Sequence, residues 1–94
     1  MSYYKNRKGT SDRGCNCGSW KQHWINFSRR MWPSSCQVST CVGSAEVGAH
    51  VIRVRGAGEE FIAPLCRSCN NRNGDFWVND DMVISANRAN TCGY

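Results

Sequence analysis

The strongest constraint in this chain is a set of four cysteines arranged as two pairs. Cys36-Gln-Val-Ser-Thr-Cys41 and Cys66-Arg-Ser-Cys69 are separated by 24 residues, and each pair can close a small chelate ring. Four thiolates spaced in this way suit one tetrahedral zinc ion. The second pair follows the apolar run Ile62-Ala-Pro-Leu65 and enters a polar, turn-rich segment. That context predicts a short helix, whose unpaired N–H groups favour negatively charged sulfur. Two disulfides or four buried thiols are the alternatives. Seven cysteines without an export signal favour the metal.

Composition points the same way. Ninety-four residues make a single domain, and the 40% hydrophobic share is reached only by counting cysteine and tryptophan. A core so poor in aliphatic residues needs help to stay folded. Structural zinc supplies an apparent ~10–16 kcal/mol, most of it folding energy. Met1-Ser-Tyr-Tyr-Lys5 does not lead into a signal-peptide core, and no apolar run approaches ~20 residues. The expectation is a soluble cytoplasmic chain with reduced thiols.

The net charge of +5 is unevenly placed. Residues 1–32 carry Lys5, Arg7, Lys8, Arg13, Lys21, Arg29 and Arg30 against Asp12 alone, whereas residues 33–94 hold five arginines against six acids. A basic surface of this kind suits nucleic acid or an acidic protein; a solvated tail and helix face is the plainer reading. Residues 1–14 lack apolar periodicity and read as a mobile basic arm, with Tyr3 and Tyr4 as stacking groups.

A single zinc-binding domain over 15–94 is expected to follow the arm. Ser19 is suited to cap a helix in which Trp20, Trp24, Phe27 and Met31 share one face, and Pro33 ends it. Arg29 and Arg30 fall on its polar side. Ala49 to Val54 alternates as a strand, Gly56-Ala-Gly58 turns, and Phe61 to Leu65 returns. Cys66 to Arg72 forms the short helix. Phe76-Trp-Val78 and Met82-Val-Ile84 are candidate short strands. The fold class is therefore α+β: a small zinc-stabilised treble clef of knuckle, hairpin and short helix, with an added N-terminal amphipathic helix.

Gly48-Ala-His50-Val and Pro64-Leu-Cys66-Arg-Ser-Cys69-Asn70 resemble the core of HNH-type endonuclease domains with a four-cysteine zinc. The likeness spans about 36–73. It implies His50 as general base on an attacking water, and a separate magnesium or manganese ion near Asn70, with Asn71 or Asn73 beside it. Two positions depart from the family pattern. Ala49 stands where a metal ligand commonly precedes the base, and Glu59-Glu-Phe-Ile-Ala-Pro64 lacks the hairpin asparagine. Glu59 or Glu60 could substitute only by pointing inward. Gly18-Ser-Trp20 and His23-Trp24 resemble small uncharacterised bacterial and phage proteins, which implies no function.

Three cysteines remain. Cys15, Cys17 and Cys92 with either His23 or His50 would complete a second zinc tetrahedron. His23 follows Cys17 closely, whereas His50 requires the N-terminal segment to fold back across the hairpin. His50 could equally be a core histidine bonded to a backbone carbonyl. The functional expectation is a zinc protein that binds nucleic acid, or a protein handling it, without catalysis. Lys5, Arg7, Lys8, Arg13, Arg29 and Arg30 would carry the attraction. The alternatives are an HNH-type endonuclease using His50, and a phage-type inhibitor seated in an acidic or nucleic-acid-binding groove of a host defence protein.

Overall fold

The hairpin expected around Gly56 lies at the middle of a larger sheet. In the computed structural model, which describes residues 2–7, 19–56 and 58–86, β2 (Val47–Arg53) pairs antiparallel with β3 (Glu60–Leu65). Ala49 sits opposite Ala63 and His50 opposite Ile62. Val47, Val51, Ile52, Phe61 and Ile62 supply the β-branched and aromatic residues that favour the pairing, and Gly58 takes a positive φ of 86° in the turn, a conformation few side chains tolerate.

Three further strands extend the pair. β1 (Ser2–Asn6) lies beside β2, and β4 (Asp75–Val78) lies beside β1. β5 (Ile84–Ser85) closes the other edge against β3, giving the order β4-β1-β2-β3-β5. With α1 (Trp20–Ser28) and the one-turn α2 (Arg67–Asn70), the architecture is α+β. Among the described residues, no helix is long and apolar enough to cross a membrane.

Residues 2–6 correct the expectation of a mobile arm over 1–14. They form an interior strand, paired on both sides. The cause is Tyr4, which is fully buried and whose hydroxyl donates to Asp80 Oδ1 at 2.7 Å. Arg53 donates to the same hydroxyl at 3.2 Å, with its guanidinium over the Tyr4 ring. Burial raises the Tyr4 pKa, while the hydrogen bond from Tyr4 lowers that of Asp80. A lone inward aromatic creates no periodic pattern, so the strand is set by partners distant in sequence. Lys8, Arg13, Cys15, Cys17 and Cys92 lie outside the described residues.

The sheet separates two apolar clusters. On one face Tyr4, Ala49, Val51, Ala63, Leu65, Phe76 and Val78 pack with Cys36, Cys66 and Cys69. On the other, Trp24, Ile62 and Ala86 pack with Trp20, Ile25, Trp32, Met82 and Ile84 under α1. Ser19 caps α1 as expected, its hydroxyl accepting from the Gln22 N–H at 3.0 Å.

The helix ends earlier than Pro33 requires. Arg29 adopts the left-handed conformation (φ 59°), and the Arg30 N–H is taken by the Ser28 hydroxyl. Met31 is therefore not on the apolar stripe and is 92% exposed. Trp32 takes its place. It folds back edge-on to Trp24 at 5.5 Å and donates Nε1–H to the Ala45 carbonyl at 2.9 Å. Arg30 likewise leaves the expected polar helix face, reaching the Asp81 carbonyl at 2.8 Å.

Gly48 permits the helix to lie this close. A Cβ there would stand 2.5 Å from the Lys21 nitrogen and the Trp20 carbonyl carbon, both backbone atoms that cannot step aside alone. Gly48→Ala should therefore cost about 1–3 kcal/mol, a drop of roughly 4–20 °C in Tm for a domain of this size. Thermal melts of the metal-loaded variant check it, and an unchanged Tm would mean that α1 is free to shift.

Candidate metal centre

The cysteine cluster is built by two loops stitched to the end of the hairpin. In the knuckle, the Cys36 N–H donates to the Gly43 carbonyl at 2.8 Å and Cys41 N–H to Val38 at 2.9 Å. The Gln37 and Glu46 N–H groups bond the carbonyls of Pro64 and Leu65, fixing the knuckle against β3. The chain then leaves β3 directly into Cys66. This residue caps α2, its Sγ accepting from the Cys69 N–H at 3.4 Å. Gly43 N–H makes the matching contact to Cys41 Sγ at 3.4 Å.

This arrangement brings together the four cysteines singled out by spacing. The Sγ atoms of Cys36, Cys41, Cys66 and Cys69 all lie within 4.8 Å of one another, and those of Cys41 and Cys66 are 3.8 Å apart. A tetrahedral ion with Zn–S bonds of ~2.3 Å requires sulfur–sulfur edges near ~3.8 Å, so the cluster could hold such an ion with small adjustment. All four are free thiols rather than disulfides.

Their electrostatics suit a cation. Burial raises the Cys36 pKa, and burial with neighbouring thiols drives Cys69 far up. The Cys69 backbone N–H instead lowers that of Cys66. Four sulfurs at this spacing repel one another when ionised, and a divalent ion removes that cost while displacing the protons. The two N–H···S contacts also leave fewer sulfur lone pairs unsatisfied.

The other candidate residues are distributed differently. His50 is 8% exposed, with its ring edge-to-face against Trp20 at 5.0 Å. Its Nε2 lies 2.5 Å from Glu60 Oε1, so Glu60 is the inward-pointing acid of the hairpin. His50 thus bears on a carboxylate and the α1 side of the sheet. Asn70 sits on α2, which closes over the opposite face beside Cys69. The structure does not bring His50 and Asn70 together.

His23 is fully buried between Trp20 and Phe27, and its Nε2 is 2.9 Å from the Ser85 carbonyl. Nε2–H donates there, so a metal-ligand role for His23 would fall to Nδ1. Cys15, Cys17 and Cys92, the cysteines expected of a second ligand set, lie outside the described residues. Asn6 was not anticipated. Its Nδ2 donates to the Cys69 and Arg72 carbonyls at 2.8 and 2.9 Å, tying β1 to α2. Nothing local in Tyr3-Tyr4-Lys5-Asn6 signals that contact. No protein-family model, curated protein or solved structure matches the chain.

Two outcomes follow from this geometry. The purified protein should carry at least one zinc per chain by elemental analysis, and chelation or Cys69→Ser should unfold it. The metal's ~10–16 kcal/mol is comparable with the whole ~5–15 kcal/mol stability of a domain. A metal-free chain with an unchanged melt would remove the site.

The second outcome concerns pH. Burial lowers the His23 pKa below its ordinary value of 6.5, so the unfolded chain takes up the proton first as pH falls. Stability from neutral His23 is present above about pH 6.5 and is lost progressively below it. His23→Gln, which keeps a donor for Ser85, should flatten the decline of Tm between about pH 7 and pH 5. An equally steep decline would place the pH sensitivity elsewhere.

Proposed function

We propose that this chain is a zinc-stabilised module of the treble-clef kind that binds nucleic acid, or a protein handling nucleic acid, without catalysis. The observation that carries this reading is the closed character of the cysteine cluster. Four protein thiolates would fill every position of a tetrahedral ion, leaving none for an activated water. Such an ion organises a fold rather than a reaction. Lys5, Arg7, Arg29 and Arg30 are all exposed, and they supply the positive surface toward phosphates. Lys8 and Arg13 belong to the same basic third of the sequence.

The His50–Glu60 contact supports a second reading, a small HNH-type endonuclease. A carboxylate beside an imidazole is the arrangement that orients a general base. Burial beneath Trp20 and the placement of Asn70 across the sheet make it the weaker of the two. Cation-dependent nicking of plasmid with magnesium or manganese, abolished in a folded His50→Ala variant, would reverse that order. A second zinc held by Cys15, Cys17 and Cys92 with His23 or His50 is also part of the proposal. Two ions per chain, falling to one in Cys15→Ser and Cys92→Ser, would support it.

Binding to duplex DNA should weaken with salt along a log–log slope near −4 to −5, as engagement of about 4–6 phosphates requires. Arg29→Gln combined with Arg30→Gln should flatten that slope by roughly 1–2 units. Absence of binding to DNA and RNA in low salt, with capture of a defined acidic polypeptide, would replace this reading with the inhibitor one.

A further inference from the structure

α2 bears the second cysteine pair and is a single turn of four residues, Arg67–Asn70. A helix this short does not hold itself together, and its last carbonyls find no partner within the helix. Asn71 does not supply the usual left-handed closure, since its φ is −99° and its ψ 1°. A side chain from a distant strand closes the turn instead. Asn6 Nδ2 donates to the Cys69 carbonyl at 2.8 Å and to the Arg72 carbonyl at 2.9 Å, across 63 and 66 positions of sequence.

We propose that Asn6 is a positioning residue of the metal centre. By clamping the carbonyls at the end of α2 it fixes Cys69 against Cys66 and sets how tightly the metal is held. The proposal rests on the metal reading of the cysteine cluster and adds a residue whose own atoms are no ligand. Asparagine suits the task because one planar amide carries two N–H bonds and can serve two carbonyls at once. The amide is mounted on the central sheet. Asn6 pairs with Val51 of β2, and the following Arg7 N–H donates to the His50 carbonyl at 2.9 Å.

The other end of the amide argues for a role beyond packing. Asn6 Oδ1 is buried with no hydrogen-bond partner among the described residues. An orphan acceptor costs stability that an apolar side chain of the same size would keep. What the chain obtains in exchange is the pair of bonds beside Cys69. Groups that orient metal ligands from outside are typically worth about 10- to 100-fold in affinity. Asn6 acts in this way through the backbone of a ligand. With the Cys69 peptide pinned, its Sγ is kept in a cluster whose sulfurs all lie within 4.8 Å of one another.

The test is the zinc affinity of the full chain, by competition with a chromophoric chelator, and the visible spectrum of its cobalt-substituted form. The ligand-field bands of cobalt respond to the angles at the ion. Asn6→Leu keeps the bulk and removes both donors, and Asn6→Asp keeps the shape and turns an acceptor toward the two carbonyls. Each should lower the affinity about 10- to 100-fold and displace the cobalt bands. Tyr4→Phe is the control for a weakened β1, because it removes the Asp80 bond from the same strand and leaves the Asn6 contacts in place. Its cobalt bands should stay at the wild-type positions.

Wild-type affinity in a folded Asn6→Leu or Asn6→Asp chain would overturn the proposal and leave the metal reading standing. So would bands displaced equally in Tyr4→Phe, or Asn6 variants that do not fold at saturating zinc, since either result makes Asn6 a general support of the fold. A wild type that takes up neither zinc nor cobalt would remove both.

Discussion

Everything else in the molecule depends on gathering four thiols into one place. Cys36, Cys66 and Cys69 are buried in the larger of the two apolar clusters, so the chain sets ionisable sulfur where a chain of this size would need aliphatic bulk. An unpaired thiolate in such surroundings is costly, and burial raises Cys36 and Cys69 accordingly. A divalent ion held by the four thiols would turn that cost into the main cohesive interaction. It would join the knuckle to the end of β3 and to α2, pieces that share several backbone hydrogen bonds. The thin aliphatic composition is intelligible on this basis.

The sheet then works as a partition. Side chains of β2 and β3 alternate between the cysteine cluster and α1, so Ala49 and Val51 serve one layer while His50 serves the other. This alternation explains why the histidine nearest the metal site in sequence does not face it. The same geometry permits two chemically different layers in one small domain. Sulfur and aliphatic side chains lie on one side, whereas tryptophan and histidine held by hydrogen bonds to carbonyls lie on the other. Trp24 donates to Met82, Trp32 to Ala45 and His23 to Ser85, so these three polar edges of the aromatic layer each meet a backbone carbonyl.

What could be read from residues alone was whatever is encoded locally. Ser19 as helix cap, the alternation of β2, the turn glycines and the two cysteine pairs each carry their signal within a few positions. The misread segments are those set by distant partners. Ser2–Asn6 looks like a polar tail until Asp80 holds the Tyr4 hydroxyl and β4 supplies a second edge. The last turn of the expected helix failed because Trp32 has better partners in Trp24 and Ala45 than Met31 has on the stripe. His50 stands out in the sequence, but only the register across the hairpin brings the Glu60 carboxylate against its Nε2. Lys8 and Arg13, proposed for partner binding, and Cys15, Cys17 and Cys92, proposed for a second ligand set, fall outside the described residues.

The cysteine cluster and the outer strands are not independent parts. Asn6 at the end of β1 donates to the carbonyls of Cys69 and Arg72, so the strand is fastened to the segment that bears the second ligand pair. The Ser39 N–H of the knuckle donates to the Trp77 carbonyl at 2.9 Å, which fastens the knuckle to β4. Strands β1 and β4 are therefore both fastened to the segments that carry the four cysteines. Loosening the cluster releases β1 at Asn6 and β4 at Trp77 together. The cross-strand registration of Tyr3 with Trp77 depends on both. A surface made from two strands far apart in sequence is stable only while something binds their ends, and here the cysteine cluster lies at the place where both are fastened.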